Sequence, residues 1–342
     1  MENNNLEKFS GIFIGLAAII VVLQIVGGLD LKNVPYNGFS TDKNHKVKKI
    51  ESGSPAEHAG FMVGDVVASR DGIDSNDTKS RSRQLRAEIG ETRSFVIERS
   101  GQTMNLELTF SELPTREKMR RYAGATIGLI FIFCGLRAFR KIPTKCSFLL
   151  AAVGLCFGFF MMNHPYLTTY ELRMIYFSIF PFVILCGVAS LLYYMVSFPK
   201  TKQLFQNTNA AWILYAPALL VAVFRLYLNV VQPDGDTAVH RAWDIVIGLF
   251  AITFFSATVI AMAHSYFSSS PNERQLYGLN FLLAGTVVGL GPGVITTVGR
   301  LISPSVVFPG EEYYFLAMAL IPISLMLATI KKETAVQTDN IG

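Results

Sequence analysis

The sequence is short of charge. Of its 342 residues only 16% are Asp, Glu, Lys or Arg, where a soluble globular chain carries about a quarter. That shortage excludes an ordinary water-soluble enzyme. Cysteine is sparse too. Cys134, Cys146, Cys156 and Cys186 lie in or beside apolar runs, with no CxxC pair and no disulfide framework, so they read as small buried apolar residues. Catalytic motifs are missing. None of His45, His58, His164, His240 and His264 is followed by ExxH, the spacing that places two zinc ligands one turn apart with a Glu base. No GxSxG surrounds a serine, and His264 beside Ser265 lacks an orienting acid in the pattern. No metal, cofactor or nucleic-acid motif stands out. The net charge of +5 reflects Lys and Arg flanking apolar spans rather than nucleic-acid binding. The expectation is a protein that is not an enzyme and needs no cofactor.

What the chain has is long apolar runs. Hydrophobic residues make up 51% of it and its mean hydropathy is +0.38. Residues 1–8 are polar, and residues 9–28 (FSGIFIGLAAIIVVLQIVGG) form a first span. Its apolar length exceeds that of a signal peptide, and no small-x-small site follows it, so an uncleaved anchor is expected. Seven further spans fall at about 122–138, 146–162, 174–197, 211–230, 242–264, 277–299 and 312–330, each long enough to cross a bilayer core. Residues 331–342 are a polar tail. The expected architecture is an all-α bundle of about eight transmembrane helices, one anchor plus a seven-helix module over 120–330, with one small α+β domain over 29–119 between helices 1 and 2.

Residues 46–72 organise that small domain. Val47 and Ile50 begin an apolar–polar alternation that Gly53-Ser54-Pro55 breaks. Ser54 suits an N-cap and Pro55 the first position of a short helix, and Gly60 suits its end. Gly64-Asp65 turns the chain into a strand over 66–69, and Asp71-Gly72 closes it. Ser80–Ile89 predicts a longer helix with Leu85 and Ile89 on one face. Phe95–Ile97 and Leu106–Phe110, turning at Gly101, predict a hairpin. This order, with SPAEHAGF and VGDVV intact, closely resembles a PDZ domain of the bacterial HtrA type. The resemblance implies binding by strand addition, with a peptide or protein C-terminus beside an edge strand and its carboxylate on loop N–H groups. Carried onto this chain, the loop is Tyr36-Asn37-Gly38-Phe39. Gly38 would admit an anion, Phe39 would line the first pocket, Ser40 would sit on the edge, and Ser82, Leu85 and Ile89 would form the helix wall. Arg81, Arg83 and Arg86 make that wall basic, which favours acidic ligands.

Three features of the membrane spans draw notice. Arg225 and Asp244 lie at similar depth near the ends of two consecutive spans, and intramembrane charges tend to be functional. Their expected role is a polar pair lining an outward-facing cavity, with snorkelling at the interface the plainer alternative. Gly285 and Gly289 form a GxxxG packing motif. Pro292, between two glycines, is expected to break or kink its helix.

The whole layout resembles the sensor half of multi-pass bacterial histidine kinases of the competence-pheromone receptor type. Val307-Phe308-Pro309 and the stretch EEYYFLAMALIPISLMLATI carry the closest likeness. Such kinases continue into phosphorylation and ATP-binding domains, and this sequence stops at Gly342. The resemblance implies a membrane sensor with an extracytoplasmic peptide-binding domain that acts through a kinase or another partner. The alternatives are an adaptor presenting clients to a protease, or a transporter or lipid-handling protein with a regulatory PDZ domain.

Loop charges predict orientation. One side carries Arg137, Arg140, Lys141, Lys145, Lys200, Lys202, Arg274, Lys331 and Lys332; the other carries Arg173, Arg241 and Arg300, plus Arg116, Lys118, Arg120 and Arg121 beside span two. The excess places both termini in the cytoplasm and the 29–119 domain outside, in a bacterial cytoplasmic membrane. In spheroplasts, added protease should cleave the 29–119 domain; a domain that resists digestion overturns this orientation.

Overall fold

The structure is a computed structural model that describes residues 8–42, 44–206, 210–231, 238–302, 308 and 311–339. Seven of its helices are long and apolar enough to cross a membrane. The chain is therefore a helical multi-pass membrane protein. The first is α1 (Phe9–Asp30). After the small domain come α4 (Thr115–Lys141), α5 (Lys145–Met161), α6 (Tyr170–Ser197), α7 (Ala210–Val231) and α8 (Ala238–Phe267). A short α9 (Pro271–Leu276), α10 (Leu279–Ile302) and α11 (Leu320–Asp339) complete the bundle.

Helix α5 has only 17 residues, about 25 Å of helix, and falls short of the other seven. It still joins the bundle's two ends. Cys146 at its start lies 3.9 Å from the Ser197 carbonyl and from Lys332 Nζ, whereas Tyr166, just past its end, reaches the small domain.

Apolar side chains facing lipid gain nothing by meeting one another, so membrane helices associate through close packing and hydrogen bonds. Small residues supply the first. A side chain at Gly135 would come within 2.7 Å of the Leu150 carbonyl, and one at Gly154 within 2.5 Å of the Phe131 carbonyl. Helices α4 and α5 are thus pressed together backbone to backbone. Gly285 and Gly289 do the same for α10: the first faces Ser324 of α11, the second Ile321 and the Ala317 carbonyl. Hydrogen bonds supply the rest. Tyr194 Oη and Thr329 Oγ1 meet at 2.8 Å in the fully buried centre of the bundle. Ser190 Oγ and Tyr215 Oη lie 2.7 Å apart. The first helix seats Phe13, Ala17 and Ile20 against Phe139, Ala151 and Leu155, and leaves Ile12, Ile19 and Val22 outward.

Three expectations change here. Helix α10 runs unbroken through Pro292, so that proline does not end it. The last span is not one α-helix: residues Glu311–Ala319 form a 3-10 helix and α11 begins only at Leu320. Pro322 then falls in the first turn of α11, directly after the 3-10 segment. The polar tail is not separate either, because α11 continues to Asp339 and buries Glu333, whose carboxylate accepts from Lys332 at 2.8 Å. Of the end motif, Val307 and Pro309 lie outside the described residues.

Among the described residues the small domain holds eight strands. They are β1 (Pro35–Tyr36), β2 (Phe39–Thr41), β3 (Val47–Ile50), β4 (Val66–Arg70), β5 (Ile73–Asp74), β6 (Thr92–Arg99), β7 (Gln102–Thr109) and β8 (Ser111–Glu112). Strands β5-β4-β6-β7 make one antiparallel sheet, with β2-β3 and β1-β8 as separate pairs. Helix α2 (Pro55–His58) is short, and its Ser54 cap accepts from Glu57 N. Gly60 follows it with φ +85°, a conformation glycine takes without strain. Val47, Ala56, Phe61, Val67, Phe95, Ile97, Leu108 and Phe110 form the domain core.

Overpacking a close helix contact costs about 1–3 kcal/mol. Gly135→Val should therefore lower the thermal midpoint of the detergent-solubilised protein by several degrees. Gly248→Val should leave it unchanged, since no atom lies within 4 Å of a side chain there. Equal midpoints for the two variants would contradict the packing account.

Candidate functional site

The loop predicted to hold a carboxylate is closed on itself. Tyr36 Oη donates to Glu51 at 2.6 Å, and burial together with that bond raises the tyrosine pKa. Gly38 takes φ +80°, and its missing side chain makes room for Ser54. Its carbonyl accepts from Glu51 N at 2.8 Å. The Phe39 amide points to Asn37 Oδ1 at 3.4 Å. The Phe39 ring does not line an open pocket. It stacks on Phe61 with 4.9 Å between centroids and so fills the space itself. Ser40 is exposed and pairs with Lys49. Strand β2 pairs only with β3 among the described residues, so its other edge offers three residues, about 10 Å.

The helix wall is not built. Helix α3 spans only Thr78–Arg83, and Gln84 is extended with φ −60° and ψ 137°. Ser82 is on α3, with its side chain outside what the structure describes. Leu85 is 69% exposed and Ile89 37% exposed, both beyond the helix. The reason lies in the carbonyls. In the expected helix the carbonyls of Gln84 and Leu85 would accept from N–H groups four residues on, whereas that of Ala87, in the last turn, would have no such donor. Here Arg173 Nη2 donates to Gln84 O at 3.3 Å, Arg93 Nη2 to Leu85 O at 2.9 Å, and Tyr166 Oη to Ala87 O at 3.0 Å. The Gln84 side chain is held as well. Arg70 donates to its Oε1 at 2.6 Å, and its Nε2 donates to Asp71 at 2.9 Å.

Tyr166 and Arg173 belong to the bundle, so the segment 84–87 is the seam between small domain and membrane helices. The loop between α5 and α6 is fixed from the other side by Asp30, whose Oδ2 accepts from Tyr166 N at 3.1 Å. Thr168 O accepts from Arg173 Nη1 at 3.3 Å. Two adjoining cavities open along the seam. One, of about 480 Å³, is lined by Arg70, Arg81, Arg86, Arg173, Tyr166 and Tyr170 among others. The second, of about 490 Å³, shares Arg86, Tyr166 and Arg173 and adds Arg121, His164, Met161 and Leu31. Neither has an Asp or Glu in its lining. Burial, with Arg93 and Arg81 nearby, lowers the Arg70 pKa below its usual value. Arg86 lies over the Tyr166 ring at 5.0 Å, a cation–π contact.

Of the expected groove residues only Leu85 lines either cavity; Tyr36, Gly38, Phe39, Ser40 and Ile89 do not. Arg81 and Arg86, marked in the sequence as basic, do come together, but at the seam. Tyr166 and Arg173 were missed, because a Tyr and an Arg in a short loop carry no local signal of a partner some 80 residues away. Arg225 and Asp244 do pair, with Nη1 3.1 Å from Oδ1. That contact lacks hydrogen-bond geometry, and neither residue lines the seam cavities. The Ser265 hydroxyl, next to His264 in the chain, donates to Phe198 O at 3.1 Å and accepts from Lys202 Nζ at 2.8 Å.

His164 sits in the seam loop against Phe159, Tyr176 and Phe180. Burial pushes its pKa down to about 4, opposed by a backbone bond with Phe160. The unfolded imidazole titrates near 6.5 and so binds the extra proton between those values. Stability falls as pH drops from about 6.5 to about 4, by at most about 3 kcal/mol. His164→Phe should flatten the decline of the thermal midpoint across that window; an unchanged slope removes His164 as its cause.

The chain matches no protein-family model and no curated protein.

Proposed function

We propose that this protein is a non-enzymatic membrane sensor whose small domain is a PDZ-type module facing the outside of a bacterial cytoplasmic membrane. It takes a peptide or protein C-terminus and passes the event through the bundle to a partner such as a kinase, with both chain termini in the cytoplasm. One observation carries the reading. The stretch that would wall a PDZ groove, residues 84–89, instead gives its carbonyls to Arg173 and Tyr166 of the bundle.

Arg173 draws the Gln84 carbonyl away from the N–H group four residues on, so building the groove wall and docking on the bundle compete at Gln84. A ligand that favours the wall releases the loop between α5 and α6, and that loop leads directly into α6, at the centre of the bundle core. Two arrangements of one segment, biased by a ligand, are what a sensor requires.

Hydrogen exchange on the full chain in lipid nanodiscs tests this. Peptides with an apolar last residue and a free carboxylate should protect residues 39–41 and 84–89 and deprotect 163–173. The same peptides amidated should do neither. Arg173→Gln removes one competitor for Gln84 O, a charged hydrogen bond worth about 1.5 kcal/mol, and should tighten peptide binding about tenfold. Identical exchange with free and amidated peptides would sink the proposal.

A further inference from the structure

The seam cavities have a property the sensor reading does not use. Arg70, Arg81, Arg86 and Arg121 line them, and no carboxylate lies within ion-pair distance of these four among the described residues. Arg70 spends its hydrogen bonds on the neutral Gln84 side chain, Arg81 donates to Ser75 O at 2.6 Å, and Arg86 stacks on Tyr166. The buried Arg173 adds a fifth cation, bonded to backbone oxygens. Asp71 and Glu91 offset part of the charge at Arg70, and Glu117 part of that at Arg121, but none of these acids lines the cleft, so an anion placed among the guanidinium groups gains their attraction.

Position narrows the kind of anion. The cleft lies where α1 and α5 end and where α4 and α6 begin, between Leu31, Arg121, Met161 and Arg173. These are the ends of apolar spans, the level at which a bilayer gives way to water. The lining is mixed: an apolar part of Leu31, Gly124, Met161, Met162 and Leu167, and a polar part of arginines and tyrosines from both the small domain (Arg70, Arg81, Arg86) and the bundle (Arg121, Tyr166, Arg173). Tyrosine at this level is usual for an interfacial belt. A small soluble anion has no use for the apolar part. A molecule with a charged head and hydrocarbon tails uses both.

We infer that the seam binds the phosphodiester headgroup of an anionic phospholipid, held by Arg70, Arg81, Arg86 and Arg121, with its acyl chains against the outside of the bundle. The lipid would then hold the small domain on the bilayer surface and neutralise the seam. The inference stands on charge and position alone and does not require the sensor reading to be right.

Native mass spectrometry of the delipidated full chain in detergent tests it, with phosphatidylglycerol and phosphatidylcholine of the same acyl chains as probes. Wild type should retain phosphatidylglycerol preferentially. Arg70→Gln with Arg86→Gln should reduce that preference about thirtyfold, the effect of two cations at an anionic surface. Arg140→Gln with Lys141→Gln, at the far end of α4, should leave it unchanged. Arg70→Lys with Arg86→Lys keeps the charge and should keep most of the preference. A loss in the Lys pair as large as in the Gln pair would mean the arginines only keep the seam folded, and would overturn the proposal. So would equal lipid retention by the Gln pair and wild type, or an equal loss in the control pair. Inorganic phosphate that binds the wild type and excludes both lipids would assign the cleft to a soluble anion. That result overturns the lipid assignment.

Discussion

Arg93 is the constraint on which the small domain and its seam with the bundle depend. Its side chain is 6% exposed, and a buried guanidinium without partners would cost several kcal/mol. It meets that need with Glu91 at 2.8 Å, Asp71 at 3.6 Å and the carbonyl of Leu85 at 2.9 Å. The bond to Leu85 fixes the rest. A carbonyl given to Arg93 leaves the helical ladder, so the chain after Arg83 stays extended. An extended segment has two further carbonyls to satisfy, since buried backbone oxygens are rarely left without donors. Tyr166 and Arg173 supply those donors from the membrane side. One buried cation on β6 thus decides where a helix stops and which surface of the small domain meets the bundle.

The bundle presents those donors because α5 is short. Seventeen residues leave the chain in irregular form from Met162 to Thr169, and irregular backbone at the edge of a bilayer must be satisfied by protein or water. Asp30 takes the Tyr166 amide, and Arg173 takes the Thr168 carbonyl. Gly27 allows the end of α1 to lie directly on the Asn163 and His164 backbone. The loop is therefore held between α1 and α6 before the small domain touches it. That rigidity rests in turn on the tight α4–α5 pair, where Gly128, Gly135, Gly154 and Gly158 remove side chains from the contact.

Residue patterns foretold the parts of this structure that local rules govern. Apolar run length marked the spans, and alternation marked the β6–β7 hairpin, which forms over a longer stretch than the apolar residues alone suggested. The Ser54-Pro55 start and Gly60 end of α2 followed from capping and turn chemistry. The failures share one cause. Leu85 and Ile89 have helical spacing, yet the partners that pull their segment straight are Arg93 on another strand and Tyr166 and Arg173 across the membrane boundary. Arg93 is only eight residues from Leu85, but the spacing of apolar residues does not show that bond, and Tyr166 and Arg173 lie some 80 residues away. Gly285 and Gly289 were legible because GxxxG is a local motif. Gly135 and Gly154 face one another from different helices and were not.

The arginines of the seam also bear on orientation. Arg116, Lys118, Arg120 and Arg121 were the residues that weighed against placing the small domain outside. Lys118 pairs with Glu112 at 3.0 Å and Arg120 with Glu117 at 2.8 Å, while Arg121 faces the cleft. Each of these three cations has a local use in the folded protein. A cation retained for such a use is weak testimony about the direction of insertion, because it would be kept on either side of the membrane. Most cations at the opposite end of the bundle have contacts too, Lys200 with Glu273 and Lys332 with Glu333 among them, but among the described residues Arg140 and Lys141 do not. Arg140 and Lys141 simply follow the last apolar turn of α4, exposed to water. Residues of that kind are the ones the positive-inside tendency acts on, and they favour the proposed arrangement, in which the arginine cleft meets the outer leaflet.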